Sequence, residues 1–134
     1  MIIPTAAVRD EGTSYHYIAP AREITADKHA LAVIEDTMIE QKVPYLKAKT
    51  WTTDAIYRET PQKIQTRKNE GYLTVEMEAA AYMAVSQYNK VIFGQILYAG
   101  DTLDSKKWDK RNFTTKTKIR ESLLKLALDT CLKL

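Results

Sequence analysis

This chain of 134 residues has a single cysteine, Cys131, so it has no internal disulfide, and a reducing, intracellular setting is expected. No apolar run approaches the roughly 20 residues that a membrane span needs, and no secretory signal opens the sequence. These absences imply a soluble, cytoplasmic protein with no membrane partner. An excess of one charge is also lacking: the net charge is only +3 and is spread along the chain, which argues against a nucleic-acid partner. The densest basic stretch, Lys106-Lys107-Trp108-Asp109-Lys110-Arg111, reads on composition as a solvated loop. The two histidines, His16 and His29, have no metal-ligand spacing, and Cys131 falls in an expected core helix without a nearby base. All three read as structural, because metal and nucleophile sites need convergent partners. There is no internal repeat, low-complexity tract or linker, and the length suits one domain.

What is present is an ordinary globular balance, 45% apolar and 28% charged, enough for a sizeable core. The apolar run Ile2 to Val8, broken by Pro4, is plausible as a strand, and a polar loop from Arg9 to Tyr17 follows with Gly12 as its flexible point. From Ala26 to Lys42, Leu31, Ile34, Met38 and Ile39 recur at helical spacing, with Thr25 or Asp27 as the cap and Pro44 as the stop. Aromatic and β-branched side chains favour a strand over Tyr45 to Thr53. Pro61 then starts a short helix that Gly71 closes. A brief strand is expected at Leu73 to Val75, and an Ala- and Met-rich helix from Glu76 or Met77 to about Tyr88. The near-continuous apolar run Val91 to Tyr98 has the length of a buried strand. A last helix, Thr117 to Leu132, sets Ile119, Leu123, Leu126 and Leu132 in register. Strands and helices alternate, so the fold class is α/β.

Three segments carry chemistry. In Val75-Glu76-Met77-Glu78-Ala79-Ala80-Ala81, acidic residues meet the positive end of a helix dipole and small residues permit close packing, which is a sufficient structural reason for them. Asp101, in Leu97-Tyr98-Ala99-Gly100-Asp101, follows an expected buried strand, where α/β folds place functional groups; a turn or helix cap would also explain it. The third, Thr50-Trp51-Thr52-Thr53-Asp54-Ala55-Ile56-Tyr57, ends another expected strand, where Ile56 reads equally as core packing.

Together these segments resemble the nucleoside phosphorylase family that includes the hexameric purine nucleoside phosphorylases and the uridine phosphorylases. The 23-residue spacing from Glu78 to Asp101 matches the family without a gap. The resemblance implies that Met77 packs on a ribose and that Glu78 accepts hydrogen bonds from its 2′- and 3′-hydroxyls, with Glu76 near the 2′-hydroxyl. A carboxylate suits that task, since its two oxygens can receive both protons of a cis-diol. By the same resemblance Asp101 donates a proton to purine N7, supported by Arg111 from a lid-like loop that includes Trp108. Ile56 takes a position usually held by an aromatic that stacks on the base, beside Tyr57, with Val75 close by. The loop Arg9-Asp10-Glu11-Gly12-Thr13-Ser14 resembles one that contacts the substrate region.

The implied fold is therefore part of the mixed-sheet nucleoside phosphorylase fold, with residues 1–134 forming the C-terminal part of a single domain and the N-terminal portion absent. The phosphate-binding glycines and arginines of the family have no match here. On this reading the strands that should flank Ile2 to Val8 are missing too, leaving exposed edges. The reaction implied is phosphorolysis of a nucleoside, with inorganic phosphate as co-substrate and no cofactor. A homo-oligomer or a complementing N-terminal half is the expected partner. A hydrolytic nucleosidase and a non-catalytic nucleoside-binding or oligomer-partner module are the alternatives. Asp101 points to a purine; Thr60-Pro61-Gln62 does not match the uracil reader of the uridine enzymes, although Arg58-Glu59 offers a different polar pair.

Overall fold

The structure is a computed structural model that describes residues 1–100 and 117–134. Its strands are β1 (Ile2–Asp10), β2 (Glu23–Thr25), β3 (Leu46–Thr53) and β4 (Tyr72–Glu76), joined in one sheet in the order β2-β1-β3-β4. β2 runs antiparallel to β1, whereas β1, β3 and β4 are mutually parallel. Pro4 has no N–H for the ladder, and the β1–β3 register shifts between Pro4 and Ala6. The expectation that β1 lacks flanking strands is corrected here. Ala6 to Val8 pairs with β2 on one side and β3 on the other, so β1 is interior. The reason is local: Glu23-Ile24-Thr25, too short to announce itself as a strand, returns alongside β1 after the polar loop.

Helix α1 (Lys28–Glu40) is capped by Asp27, whose Oδ1 accepts from the Ala30 N–H at 2.8 Å. Ile34 and Met38 on α1 are buried against Ile3, but Ile39 is 60% exposed. Ile39 falls outside the stripe that Leu31, Ile34 and Met38 define at 3.6 residues per turn. Helix α2 (Pro61–Asn69) is capped by Thr60 and followed by Gly71 at φ +88°, a conformation that favours glycine. Helix α3 (Ala79–Asn89) starts later than the sequence suggests, because Glu76 still belongs to β4.

Val91 to Tyr98 is not a strand. Among the described residues, its ladder contact is an antiparallel pairing of Leu97 with Ile2, through mutual N–H to C=O bonds of 2.9 and 2.8 Å. The sheet position beside Ala6 to Val8 is already taken by β2. The segment instead crosses α1, with Gly94 so close that a Cβ there would meet Ile34 Cδ1 at 2.6 Å and Ala30 Cβ at 3.2 Å. On α4 (Thr117–Cys131), Leu126 is buried beside Ile3, Ile34 and Met38, whereas Leu132 is 88% exposed. Cys131 is likewise exposed rather than in the core, because it sits well around the helix from Leu126.

Adjacent β1 residues divide the core between the sheet's two faces. Ala7 packs with Ile24 and with Ala79, Ala80, Met83 and Ala84, the alanines letting α3 lie close to the sheet. Val8 instead packs with Trp51 and Tyr72 beneath Ile64 of α2. Among the described residues, no helix is long and apolar enough to cross a membrane.

Candidate functional site

Register brings the C-terminal ends of the three parallel strands together. Asp10 pairs with Thr53, and Thr52 pairs with Glu76, so the chain leaves the sheet at adjacent points after β1, β3 and β4. In an α/β sheet this is the edge that carries functional groups. The three exits are Glu11 to Ser14, Asp54 to Arg58, and Met77 to Glu78.

The first exit is built from buried polar groups. Arg9, Glu11 and Ser14 are all buried. Arg9 Nε donates to Ser14 Oγ at 2.8 Å and Nη1 to the Ala19 carbonyl at 2.8 Å, while its guanidinium lies 4.2 Å from the centre of the Tyr15 ring. Glu11 accepts from the Ser14 N–H at 2.9 Å and from the Ser14 hydroxyl. Each buried polar group thus finds a partner within a few residues, which is what makes the burial tolerable. The Gly12 N–H donates to Asp54 Oδ2 at 3.0 Å and ties the first exit to the second. Gly12 itself has φ −89°, so it is no special hinge.

Asp10 anchors α2 beside this edge. Arg67 Nε donates to Asp10 Oδ2 at 3.0 Å, Arg67 Nη2 reaches the same oxygen, and Lys63 Nζ lies 3.5 Å from it. Burial alone would push the Asp10 carboxyl up, but the Arg67 hydrogen bonds and the charges of Arg67 and Lys63 outweigh it and hold the pKa below the ordinary aspartate value. Because the folded pKa lies below the unfolded one, this stabilisation is present above about pH 4 and is lost as pH falls through the folded pKa. Asp10→Asn is therefore expected to cost about 1.5–3 kcal/mol at pH 7. That cost should shrink towards zero in urea titrations repeated at successively lower pH below 4. A cost independent of pH would remove the charge from the account.

The third exit holds two carboxylates with different surroundings. Glu76 is half-buried at the end of β4. Its Oε1 accepts from the Thr52 hydroxyl at 2.5 Å, and its Oε2 from the N–H groups of Glu78 at 2.8 Å and Ala79 at 2.5 Å. Burial pushes its carboxyl above the ordinary glutamate value. The hydrogen bonds from Thr52 and the two amides offset this only in part, and the charge of Glu78 adds to the rise. Glu78, in contrast, is exposed at the N-cap of α3 and makes no side-chain cap bond to the helix. Among the described residues, its Oε2 accepts one long bond, 3.3 Å, from the Met77 N–H.

Met77, next to Glu78, is 43% exposed, and Ile56 at 52% and Tyr57 at 97% are exposed on the neighbouring strand exit. Val75 is half-buried against Trp51. A pocket of about 340 Å³ opens nearby, lined by Arg9, Asp10, Tyr15, Pro20, Ala21 and Arg22, but by none of those side chains. The arrangement offers a free carboxylate beside apolar surface, chemistry suited to a ligand with paired hydroxyls and a flat apolar part. Among the described residues, no group of His, Cys, Asp and Glu is arranged to hold a metal ion.

A sequence model of the phosphorylase superfamily matches residues 1–133. The chain belongs to that superfamily. Comparison with curated proteins gave no match. Among solved structures, the AMP nucleosidase of Bacteroides thetaiotaomicron VPI-5482 is 25% identical with a TM-score of 0.70, over 96% of this chain and 52% of its own. A P. knowlesi homologue of P. falciparum PNP is 23% identical with a TM-score of 0.72, over 97% and 52%. The purine nucleoside phosphorylase of Toxoplasma gondii, solved with immucillin-H, is 19% identical with a TM-score of 0.79, over 97% and 54%. The chain thus spans about half the length of the solved structures it matches. Both phosphorylases and a nucleosidase are among the relatives by fold of this superfamily member.

Of the residues expected to act, Glu76, Met77 and Glu78 fall on one strand exit, with Ile56 and Tyr57 on the neighbouring one. Asp101, Trp108 and Arg111 lie outside the described residues. Sequence reasoning overlooked Thr52, which the fold buries completely between Glu76 and α3. Its only signal was a threonine alternating with Trp51 at a strand end.

Proposed function

We propose that this superfamily member forms the ribose- and base-handling part of a nucleoside phosphorylase, with a purine nucleoside favoured and inorganic phosphate as co-substrate. The reading is carried by Glu78, a carboxylate not engaged in capping its helix, exposed beside Met77 in a chain matched to the superfamily over residues 1–133. Glu78 accepts the 2′- and 3′-hydroxyl protons and so fixes the sugar. Met77 packs on the sugar, and Ile56, Tyr57, Val75 and Trp108 flank the base. Cleavage of the bond from ribose C1′ to the base develops positive charge on the sugar and negative charge on the departing base. Asp101, held protonated, relieves the latter by protonating N7, with Arg111 supporting it. Phosphate attacks C1′ from the opposite face. Its binding groups come from a homo-oligomer or a complementing polypeptide, in the cytoplasm.

Hydrolysis is the second reading, favoured by the 25% identity to an AMP nucleosidase. One assay separates the two: inosine, adenosine and uridine are offered with and without phosphate, and free base is followed by absorbance. Phosphate-dependent release with ribose 1-phosphate as product supports phosphorolysis. Release that ignores phosphate and yields free ribose assigns the chain to hydrolysis. No release by folded protein, alone or with a complementing polypeptide, overturns a catalytic role and leaves a nucleoside-binding module.

A further inference from the structure

We propose that Thr52 and Glu76 are positioning residues that cap α3 on behalf of Glu78, so that its carboxylate stays free for the sugar. The functional half of this inference rests on Glu78 as the acceptor of the sugar hydroxyls; the capping half stands on geometry alone.

An N-cap residue ordinarily spends its own side chain on the first free N–H groups of its helix. Glu78 occupies that place on α3 and makes no such bond. The bonds come from elsewhere. Glu76 Oε2, two residues upstream, takes the N–H groups of Glu78 and Ala79 at 2.8 and 2.5 Å. The Thr52 hydroxyl, from the neighbouring strand, takes that of Ala80 at 3.0 Å. The same hydroxyl donates its one proton to Glu76 Oε1 at 2.5 Å, which locks the two caps into a single unit. Three consecutive amides are satisfied without Glu78, and the backbone on both sides of its Cα is fixed to the sheet. Thr52 is fully buried, and both Glu76 oxygens are engaged. Neither residue is free to bind a ligand as Glu78 is. Without the Thr52 hydroxyl, Glu76 keeps two amides on one oxygen but loses the short bond to the other, which retains a long 3.4 Å bond from the Thr50 hydroxyl, and the Ala80 N–H loses its side-chain acceptor.

The test compares Thr52→Val, close in shape but without the hydroxyl, with Thr52→Ser, which restores it. Calorimetric binding of inosine, 2′-deoxyinosine, 3′-deoxyinosine and hypoxanthine is measured on each full-length variant. Thr52→Val is expected to weaken inosine and both deoxynucleosides about tenfold while leaving hypoxanthine unchanged, and Thr52→Ser to recover most of the loss. Equal losses for hypoxanthine and inosine would mean general damage and overturn the proposal. So would a Glu76→Gln variant that weakens inosine but not 2′-deoxyinosine, because Glu76 would then touch the 2′-hydroxyl itself. If the wild-type chain binds no nucleoside, the ribose reading of Glu78 fails, and amide hydrogen exchange still judges the cap. Faster exchange at Ala79 and Ala80 in Thr52→Val than in Thr52→Ser upholds it; equal exchange overturns it.

Discussion

Asp101→Asn is expected to lower kcat for inosine by about 10²–10⁴-fold, the usual worth of a general acid, with KM nearly unchanged. Asparagine keeps the shape of the side chain and can still hydrogen-bond N7, but it has no proton to give as the bond to C1′ breaks. The loss is therefore confined to the transition state. Glu78→Gln should behave differently. A glutamine offers one acceptor oxygen where the carboxylate offers two, and it gives up charge-assisted hydrogen bonds worth about 1.5–3 kcal/mol. That corresponds to roughly 10–150-fold weaker binding at 1.4 kcal/mol per tenfold. Both ground and transition states hold the ribose, so kcat/KM falls chiefly through KM. Steady-state kinetics in the turnover-competent assembly resolves the two patterns. Wild-type kcat in Asp101→Asn would end the general-acid assignment, whereas a pure kcat effect in Glu78→Gln would mean that the carboxylate serves the reaction and not the sugar.

How much of this was legible in the sequence depended on how far each feature reaches along the chain. α1 was readable because its stripe and its Asp27 cap are local, as were Pro61 and Gly71 around α2. Ile39 lies a single helical step from the buried Met38, which is enough to carry its side chain about 100° around the helix and out of the stripe. The run Val91 to Tyr98 has the composition of a buried strand, but whether it becomes one depends on which sheet positions remain vacant. β2, three residues long, decided that. The site was half legible. Glu76 and Glu78 look alike in sequence, and their separate surroundings are set by Thr52, 24 residues before Glu76, which only the parallel pairing of β3 and β4 brings alongside. The buried cluster of Arg9, Glu11 and Ser14 read as a polar loop because its pairing is local in sequence but its burial is not.

Trp51→Ala is expected to cost about 3–5 kcal/mol, the usual range for removing a buried aromatic. Trp51 is 2% exposed and joins Val8 and Tyr72 beneath Ile64. It is also the floor for α2: Lys63 Nζ lies 5.2 Å and the Arg67 guanidinium 5.7 Å from the centre of its rings. No residue of α2 is buried, so the helix is held chiefly by that floor and by the ion pairs of Arg67 and Lys63 with Asp10. Against a total stability of about 5–15 kcal/mol, the loss is a large share, and α2 should loosen first. Trp51→Phe keeps an aromatic face under both cations and should recover more than half of the loss. Urea unfolding gives the two costs, and hydrogen exchange shows where the structure opens. If Trp51→Ala exposes α2 amides no sooner than those of α1, the indole is ordinary core and the helix is held by Asp10 instead.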